Sequence, residues 1–230
     1  MWFQAAYLVT THTPGMSALQ FQRQMGLNNY ETAFTMFHKL RAGMVRQDRD
    51  KLSGLVEVDE TYIGGKKEGP AGRGAEGKAI VVGAVDIRGK AANRVRLRVI
   101  PNVTGETLLD FIKENIAEGS TIATDDWRGY SRLTTAGYKH VTSDELIHIH
   151  RVFSNLKTWL LGTHHGVSPQ HLQAYLNEYI FRFNRRKTPM AAFQTALGMT
   201  KERLGPTYKG LYGVKKGEGE WTHPANPVRS

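Results

Sequence analysis

Three segments of alternating β-branched residues follow one another in the sequence, and they constrain the fold more than any other feature. They lie at 55–63, 78–86 and 94–101, and glycine-rich segments separate them. Alternation of this kind predicts half-buried strands. Because no helical pattern lies between these strands, we expect them to form an antiparallel meander.

The segments that follow give the chain an α/β pattern. Apolar residues recur at helical spacing within 104–117, and a short apolar segment at 120–124 predicts a fourth strand. Two further helices are predicted, one at 149–161 that ends at Gly162 and one that begins after the cap Ser168. The predicted order is therefore β-β-β-α-β, followed by helices.

Residues 17–46 predict two helices joined by a glycine turn. Ser17 is a suitable cap for the first helix, Gly26 suits the turn, and Asn29 suits the start of the second helix. The polar start of the second helix fits a helix-turn-helix that contacts DNA through Asn28, Tyr30 and Thr32. A simple pair of antiparallel helices explains the pattern equally well, so both interpretations stay open.

The charge and composition of the chain limit its partners. Lys and Arg number 31 against 21 acidic residues, which gives a net charge of +10. This excess predicts an anionic partner, and nucleic acid is favoured over a membrane because no segment is long and apolar enough to cross a bilayer. The chain has no cysteine, so a metal would be held by oxygen and imidazole ligands. The N-terminus lacks the pattern of a secretion signal, and we expect a cytoplasmic, nucleoid-associated protein.

The first predicted strand carries acidic residues in its interior. Alternation sends Glu57 and Asp59 to one face of the strand, and Glu60 to the other. A buried carboxylate is costly unless it is paired or bound to a metal. The pattern indicates the beginning of a site for a divalent cation, although an edge strand with solvated acids would give the same residues.

Later residues extend this candidate site. Asp125 follows the fourth strand, and together with Asp59 it gives the layout that holds two metal ions about 3.5–4 Å apart for phosphodiester chemistry. His150 and Lys157 lie two turns apart on one face of a predicted helix. His150 offers a third metal ligand, and Lys157 offers a contact to a DNA phosphate.

Four motifs, in order, carry a resemblance to a known family. They are V-E-V-D-E-T-Y-I-G-G at 56–65, T-D-D-W-R-G-Y at 124–130, F-S-N-L-K-T-W-L-L-G-T-H-H at 153–165 and H-L-Q-A-Y-L-N-E-Y-I-F-R-F-N-R-R at 171–186. Through these motifs the chain resembles the ISXO-like insertion-sequence transposases, which have an RNase H-like core and a DDE catalytic site. The resemblance covers roughly residues 1–200.

The resemblance implies a fold and an activity. The fold is an α/β, RNase H-like mixed sheet of order β-β-β-α-β-α flanked by helices, with a small N-terminal helix-turn-helix. The activity is the cutting of transposon ends and the joining of 3′-hydroxyl ends to target DNA, with two Mg²⁺ or Mn²⁺ ions per site. The implied partners are double-stranded DNA, as terminal inverted repeats and target, and further copies of the chain in a synaptic complex.

The resemblance also assigns roles to residues. Asp59 and Asp125 match the two catalytic aspartates, and the third position, seven residues before Lys157, is commonly Glu in the family but His150 here. Imidazole is a poorer magnesium ligand than carboxylate. Relatives often carry a cysteine-rich zinc ribbon, which this sequence lacks. An alternative is therefore a catalytically impaired remnant that still binds DNA.

These patterns together predict three regions. We expect a helical, helix-turn-helix-like DNA-binding segment at 1–50, an RNase H-like catalytic domain at 51–200 and a basic, loosely ordered tail at 201–230. Further DNA contacts are predicted from a basic loop and from the end of the last long helix, at Lys66, Lys67, Arg73, Arg185, Arg186 and Lys187. The same basic residues are also explained without DNA. The loop would then simply be solvated, and the C-terminal end of a helix favours cations.

Overall fold

The computed structural model describes residues 1–12, 15–45, 49–64, 78–200 and 206–212. The chain divides into two compact units. The helical unit comprises residues 1–48, 162–165 and 173–230, and the sheet unit comprises residues 49–161 and 166–172. None of the described helices is long and apolar enough to cross a membrane.

The helices and strands have the following bounds. The helices are α1 (Trp2–Thr11), α2 (Ala18–Gln24), α3 (Tyr30–Gly43), α4 (Gly105–Asn115), α5 (Ile147–His164), α6 (Pro169–Asn184), α7 (Pro189–Thr200) and α8 (Tyr208–Tyr212). The strands are β1 (Leu55–Ile63), β2 (Ala79–Arg88), β3 (Ala91–Ile100), β4 (Thr121–Thr124) and β5 (Lys139–Thr142).

The sheet unit contains one mixed sheet of order β3-β2-β1-β4-β5. The strands β1, β2 and β3 form the predicted antiparallel meander, and β4 pairs in parallel with both β1 and β5. In the chain, α4 lies between β3 and β4, and α5 follows β5. This is the mixed topology expected for an RNase H-like fold. The predicted RNase H-like α/β fold class is confirmed.

Different helices cover the two faces of this sheet. On one face Val56 and Val58 pack in a core with Leu108 and Phe111 of α4. On the other face the backbone of Gly83 lies against α5, where a Cβ atom at position 83 would come within 2.8 Å of Phe153 and 2.9 Å of Ile149. Contacts that close exclude a side chain, so glycine at this position lets α5 approach the sheet.

The helical unit contains the two capped helices that the sequence predicts, α2 and α3. Ser17 accepts a hydrogen bond from the N–H of Gln20, and Asn29 accepts one from the N–H of Glu31. Gly26, between α2 and α3, has a φ of 62°, which glycine adopts without strain. The helices α1, α2, α3 and α7 contribute to a single apolar core together with Phe181 of α6.

A buried ion pair connects two helices of this unit. Arg41 of α3 donates from Nε to Glu178 of α6 at 2.8 Å, and neither side chain is exposed. The Arg41 guanidinium also lies 3.9 Å from the centre of the Tyr175 ring. A buried pair of this kind is costly to break, because removal of one partner leaves the other charge buried and uncompensated.

Several boundaries differ from the sequence-based prediction. The predicted stop of α5 at Gly162 was wrong, because the helix continues to His164 and the chain turns at His165 and Gly166, which have φ values of 56° and 100°. The helices α1 and α7 and the strand β5 were not predicted. Residues from 173 onward lie in the helical unit, whereas the sequence-based division kept them with the sheet up to residue 200. Within the predicted tail, residues 208–212 are helical.

Candidate active site

The two predicted aspartates lie on neighbouring parallel strands. The register between β1 and β4 pairs Val56 with Ile122 and Glu57 with Ala123. Continued by two residues, this register places Asp59 beside Asp125, which directly follows β4. Neighbouring strands are about 4.8 Å apart, and residues at equivalent positions point to the same face. The sheet therefore brings the two carboxylates together.

The electrostatics of Asp59 agree with this placement. Burial raises the pKa of Asp59 above its ordinary value, whereas the backbone N–H of Glu60 and the imidazole of His150 lower it. The negative charge of Asp125 raises the pKa of Asp59 further. Such a contribution requires Asp125 to be near, and two adjacent carboxylates favour binding of a cation between them.

Backbone N–H groups orient both carboxylates. The N–H of Glu60 donates to Asp59 Oδ1 at 2.8 Å, and the N–H of Trp127 donates to Asp125 Oδ1 at 3.2 Å. Each aspartate thus has one oxygen fixed by the backbone of the residues that follow it. The second oxygen of each, Oδ2, remains for other interactions.

His150 contacts Asp59 directly. Its Nε2 donates to Asp59 Oδ2 at 3.0 Å, and its side chain is 57% exposed. The first turn of α5 therefore contacts Asp59 through His150. Lys157 is exposed on the same helix, about 10 Å further along the helix axis. The structure does not bring Lys157 to the carboxylates, so its predicted phosphate contact would lie outside them.

Glu57 has a different environment from the one the strand pattern indicated. The pattern made it a candidate metal ligand beside Asp59, but both of its oxygens are committed to the start of α5. Oε2 accepts from the backbone N–H of Ile149 at 2.8 Å, and Oε1 accepts from His148 Nδ1 at 2.8 Å. Glu57 thus satisfies one of the N–H groups that a helix leaves unpaired at its first turn. His148 was not predicted to take part in the site.

Glu60 interacts on the opposite face of β1. Its Oε2 accepts a hydrogen bond from the hydroxyl of Tyr130 at 3.0 Å. Tyr130 follows Asp125 by five residues and is almost fully buried. Burial, and then the charge of Glu60, raise the pKa of Tyr130 well above its ordinary value. No local sequence signal links these two residues, since they are 70 positions apart.

The donor set at this site fits a divalent cation in part. Within the described ranges, no group of three or more His, Asp and Glu side chains is arranged to hold a metal ion. Two adjacent carboxylates are nevertheless suitable ligands for a hard cation such as Mg²⁺. Asp59 and Asp125 would hold such an ion, while His150 is hydrogen-bonded to Asp59. The three-residue ligand set Asp59, Asp125 and His150 stays a prediction.

The predicted DNA-contacting residues have varied surroundings. Three of the predicted contacts are exposed around the start of α3, as a DNA recognition helix requires. They are Asn28, Tyr30 and Thr32. Arg185 and Arg186 lie 4.1 Å from the ring centres of Phe181 and Phe183, and Arg186 and Lys187 are exposed. Both guanidinium groups also donate to backbone carbonyls, that of Arg185 to Phe181 and that of Arg186 to Phe183. The remaining predicted contacts, Lys66, Lys67 and Arg73, lie outside the described residues.

Comparisons with known proteins identify the family that the chain resembles. The profile of the ISXO2-like transposase domain matches residues 51–184. An uncharacterized transposase-like protein of Haemophilus influenzae is 30% identical over 95 residues, which cover 37% of this chain and 77% of the relative.

Two solved structures show a distant likeness. The chain is 13% identical to a chain of the simian T-cell lymphotropic virus intasome in complex with PP2A regulatory subunit B56 gamma, with a TM-score of 0.29 and coverage of 98% of this chain and 80% of that one. It is 11% identical to a chain of a pre-cleavage Mos1 transpososome, with a TM-score of 0.35 and coverage of 83% and 76%. These values are too low to carry functional detail over. The family profile, in contrast, spans more than half of the chain. The protein therefore belongs to the ISXO2-like transposase family.

Proposed function

We propose that this protein cuts the DNA ends of an insertion sequence and joins the freed 3′-hydroxyl ends to target DNA. The observation that carries the proposal is the register of β1 and β4, whose last pair, Glu57 with Ala123, lies two residues before Asp59 and Asp125. His150, bonded to Asp59 at 3.0 Å, adds a third polar group at the same place. Family membership supplies the class of reaction, and the carboxylate pair supplies a site for it.

The chain's own residues prepare this site for a phosphodiester. Asp59 and Asp125 each have one oxygen fixed by a backbone N–H, so their Oδ2 atoms are oriented before any ligand binds. A divalent cation such as Mg²⁺ or Mn²⁺, held by these carboxylates, supplies activation of the attacking hydroxyl and stabilisation of the leaving oxygen. His150 is more than half exposed, so its ring can turn toward a ligand at little desolvation cost.

Double-stranded DNA is the proposed substrate. The net charge of +10 favours a polyanion. In the helical unit, exposed polar residues around the start of α3 and the basic residues at the end of α6 are the proposed contacts to element ends. Binding should weaken with salt by about 0.9 log units per log unit of salt for each phosphate that is neutralised.

Strand transfer on a duplex that contains an element end tests the proposal. With Mg²⁺ or Mn²⁺, the wild-type chain should nick the end and join it to a second duplex, whereas Asp59→Asn should lose both steps. Asp110→Asn is the matched control, because Asp110 is an exposed aspartate on α4 of the same unit. Equal product from Asp59→Asn and Asp110→Asn would remove Asp59 from the mechanism.

The bond between His150 and Asp59 favours a second candidate function. In it, the chain is an impaired transposase that occupies element ends without cutting them, because an imidazole stands where a carboxylate is common. His150→Glu separates the two candidates. If this substitution creates or greatly raises cleavage while DNA affinity stays the same, the present chain is a binding protein. If the wild-type chain cuts DNA and this substitution lowers cleavage, His150 serves an active enzyme.

A further inference from the structure

Strand pairing alone does not fix the distance between the two aspartates. The ladder between β1 and β4 ends with the pair Glu57 and Ala123, and β4 itself ends at Thr124. Asp59 lies two residues beyond the last pair of this ladder, and Asp125 lies in the loop that follows β4. An additional contact between this loop and β1 is therefore needed to hold the two carboxylates in place.

The loop after Asp125 is braced internally. The N–H of Trp127 donates to Asp125 Oδ1 at 3.2 Å, and the N–H of Tyr130 donates to the carbonyl of Trp127 at 3.0 Å. A 3₁₀ turn at Arg128–Tyr130 closes the segment. The indole of Trp127 also donates to the carbonyl of Val103 at 3.3 Å. These bonds make residues 125–130 a small unit that is held to the segment before α4, and a tether to β1 is still needed.

The hydroxyl of Tyr130 provides that tether. It donates to Glu60 Oε2 at 3.0 Å, and Glu60 directly follows Asp59 on β1. A continuous path thus runs from Asp59 through Glu60 and Tyr130 to Trp127 and Asp125. Tyr130 is 1% exposed and Glu60 is half-buried, so water has limited access to this bond. Burial, and then the charges of Glu60, Asp59 and Asp125, raise the pKa of Tyr130, so its hydroxyl is a neutral donor.

We propose that Glu60 and Tyr130 are positioning residues, whose hydrogen bond ties the loop that carries Asp125 to the strand that carries Asp59. The pair sets the separation of the two carboxylates. The proposal rests on the proposed function, because this separation affects a reaction only if the two aspartates form the reacting site.

Tyr130→Phe tests the tether, since it removes one hydroxyl and keeps the ring. We expect a loss of about 10- to 100-fold in the rate of strand cleavage, as expected for a displacement of about 1 Å, with DNA affinity unchanged. Tyr138→Phe is the matched control. Tyr138 is also buried in the sheet unit, at 3% exposure, and its hydroxyl donates to the carbonyl of Ile116. Its loss should leave the cleavage rate within about twofold of wild type.

Substitutions of Glu60 separate positioning from general destabilisation. Glu60→Gln keeps an oxygen that accepts from Tyr130 and should retain most of the rate, whereas Glu60→Ala should match Tyr130→Phe. The double variant Glu60→Ala with Tyr130→Phe should be no slower than either single variant, because both remove the same bond. Equal losses from Glu60→Gln and Glu60→Ala would overturn the proposal.

A second measurement does not depend on catalysis. In protein labelled with 5-fluorotryptophan, Trp127 reports on the loop and Trp159 reports on α5, and Trp127→Phe assigns the loop resonance in the ¹⁹F spectrum. Tyr130→Phe and Glu60→Ala should shift the Trp127 resonance and leave that of Trp159 in place, while Tyr138→Phe and Glu60→Gln should shift neither. If the Trp127 resonance moves but the wild-type chain cuts no DNA, the tether stands and the proposed function fails. If the Trp127 resonance stays in place in both Tyr130→Phe and Glu60→Ala, the proposed tether is refuted.

Discussion

Replacement of Glu57 by alanine should loosen the start of α5. Glu57 is buried at 5% exposure, and it accepts from the N–H of Ile149, a residue that is fully buried. Without the carboxylate this N–H loses its partner, which costs about 1–3 kcal/mol. Loss of the pairing with His148, which is partly exposed, adds about 0–1 kcal/mol. We therefore expect the free energy of unfolding to fall by about 1–4 kcal/mol.

Glu57→Gln separates two contributions of Glu57 to stability, the hydrogen bond that caps α5 and the negative charge beside His148. The glutamine oxygen can still accept from Ile149, and its amide group can face His148, whose Nε2 lies 3.4 Å from the carbonyl oxygen of Lys90 and can carry the ring proton. This variant should lose about 1 kcal/mol or less. Glu106→Ala is the matched control, because Glu106 occupies the first turn of α4 but is exposed. Its loss should cost only about 0.3–1 kcal/mol.

Urea unfolding followed by circular dichroism measures these differences. Amide hydrogen exchange adds a local measurement, since exchange of the Ile149 amide should accelerate by about 5- to 900-fold in Glu57→Ala if the helix start opens at the reduced free energy. A Glu57→Ala variant within about 0.5 kcal/mol of wild type, with unchanged exchange at Ile149, would refute the assignment of Glu57 as the cap of α5.

The structure also predicts the outcome of four further substitutions. Gly83→Ala should destabilise the chain by about 1–3 kcal/mol in urea unfolding, since the new Cβ overlaps Phe153 and Ile149, whereas Gly162→Ala, with no atom within 4 Å, should stabilise it by up to about 1 kcal/mol. Glu178→Ala should cost about 3–5 kcal/mol in thermal unfolding, because Arg41 remains buried without its partner, and a smaller loss would mean that water reaches the guanidinium. Burial lowers the pKa of His164 to about 4, so below pH 6.5 the unfolded chain binds a proton that the folded chain does not, and stability should fall by about 1–2 kcal/mol between pH 7 and pH 5. His164→Phe, which keeps a ring against Tyr175, should flatten this part of the profile, and an unchanged slope would contradict the assignment.

The elements that the sequence predicts well are those with strong local signals. β1 has its predicted bounds, because alternation of apolar residues specifies which face is buried. The caps Ser17, Asn29 and Thr104 each accept from the first turn of the helix that follows. Such bonds join residues two or three positions apart, so the sequence alone is sufficient to recognise them.

The elements that were missed lack such signals. β5 is four residues long with mostly exposed, polar side chains, and its pairing with β4 rather than its own pattern makes it a strand. α1 has no side-chain cap, so nothing in the sequence marks where it begins. Gly162 lies inside α5 because a single glycine costs a helix only about 1 kcal/mol, which tertiary packing offsets.

The residue types of the candidate site were predictable from the sequence, but the hydrogen bonds that hold its strand and helix in place were not. Asp59, Asp125 and His150 stand out because acids and a histidine occur at strand and helix positions that meet in this fold. The partners of Glu57 and Glu60 are 91 and 70 residues away, and only the folded chain brings them together. Long-range hydrogen bonds of this kind leave no periodic pattern in the sequence.

The register of β1 decides what each of its three acids does. Alternation places Glu57 and Asp59 on the face covered by α5, and Glu60 on the face where Tyr130 is buried. A slip of one residue would exchange these faces and would move Asp59 away from both Asp125 and His150. The antiparallel ladder with β2 opposes such a slip, and it pairs Asp59 directly with Gly83. Phe153 and Ile149 of α5 lie against that glycine, so the same register that aligns the aspartates also makes room for the helix that carries His150.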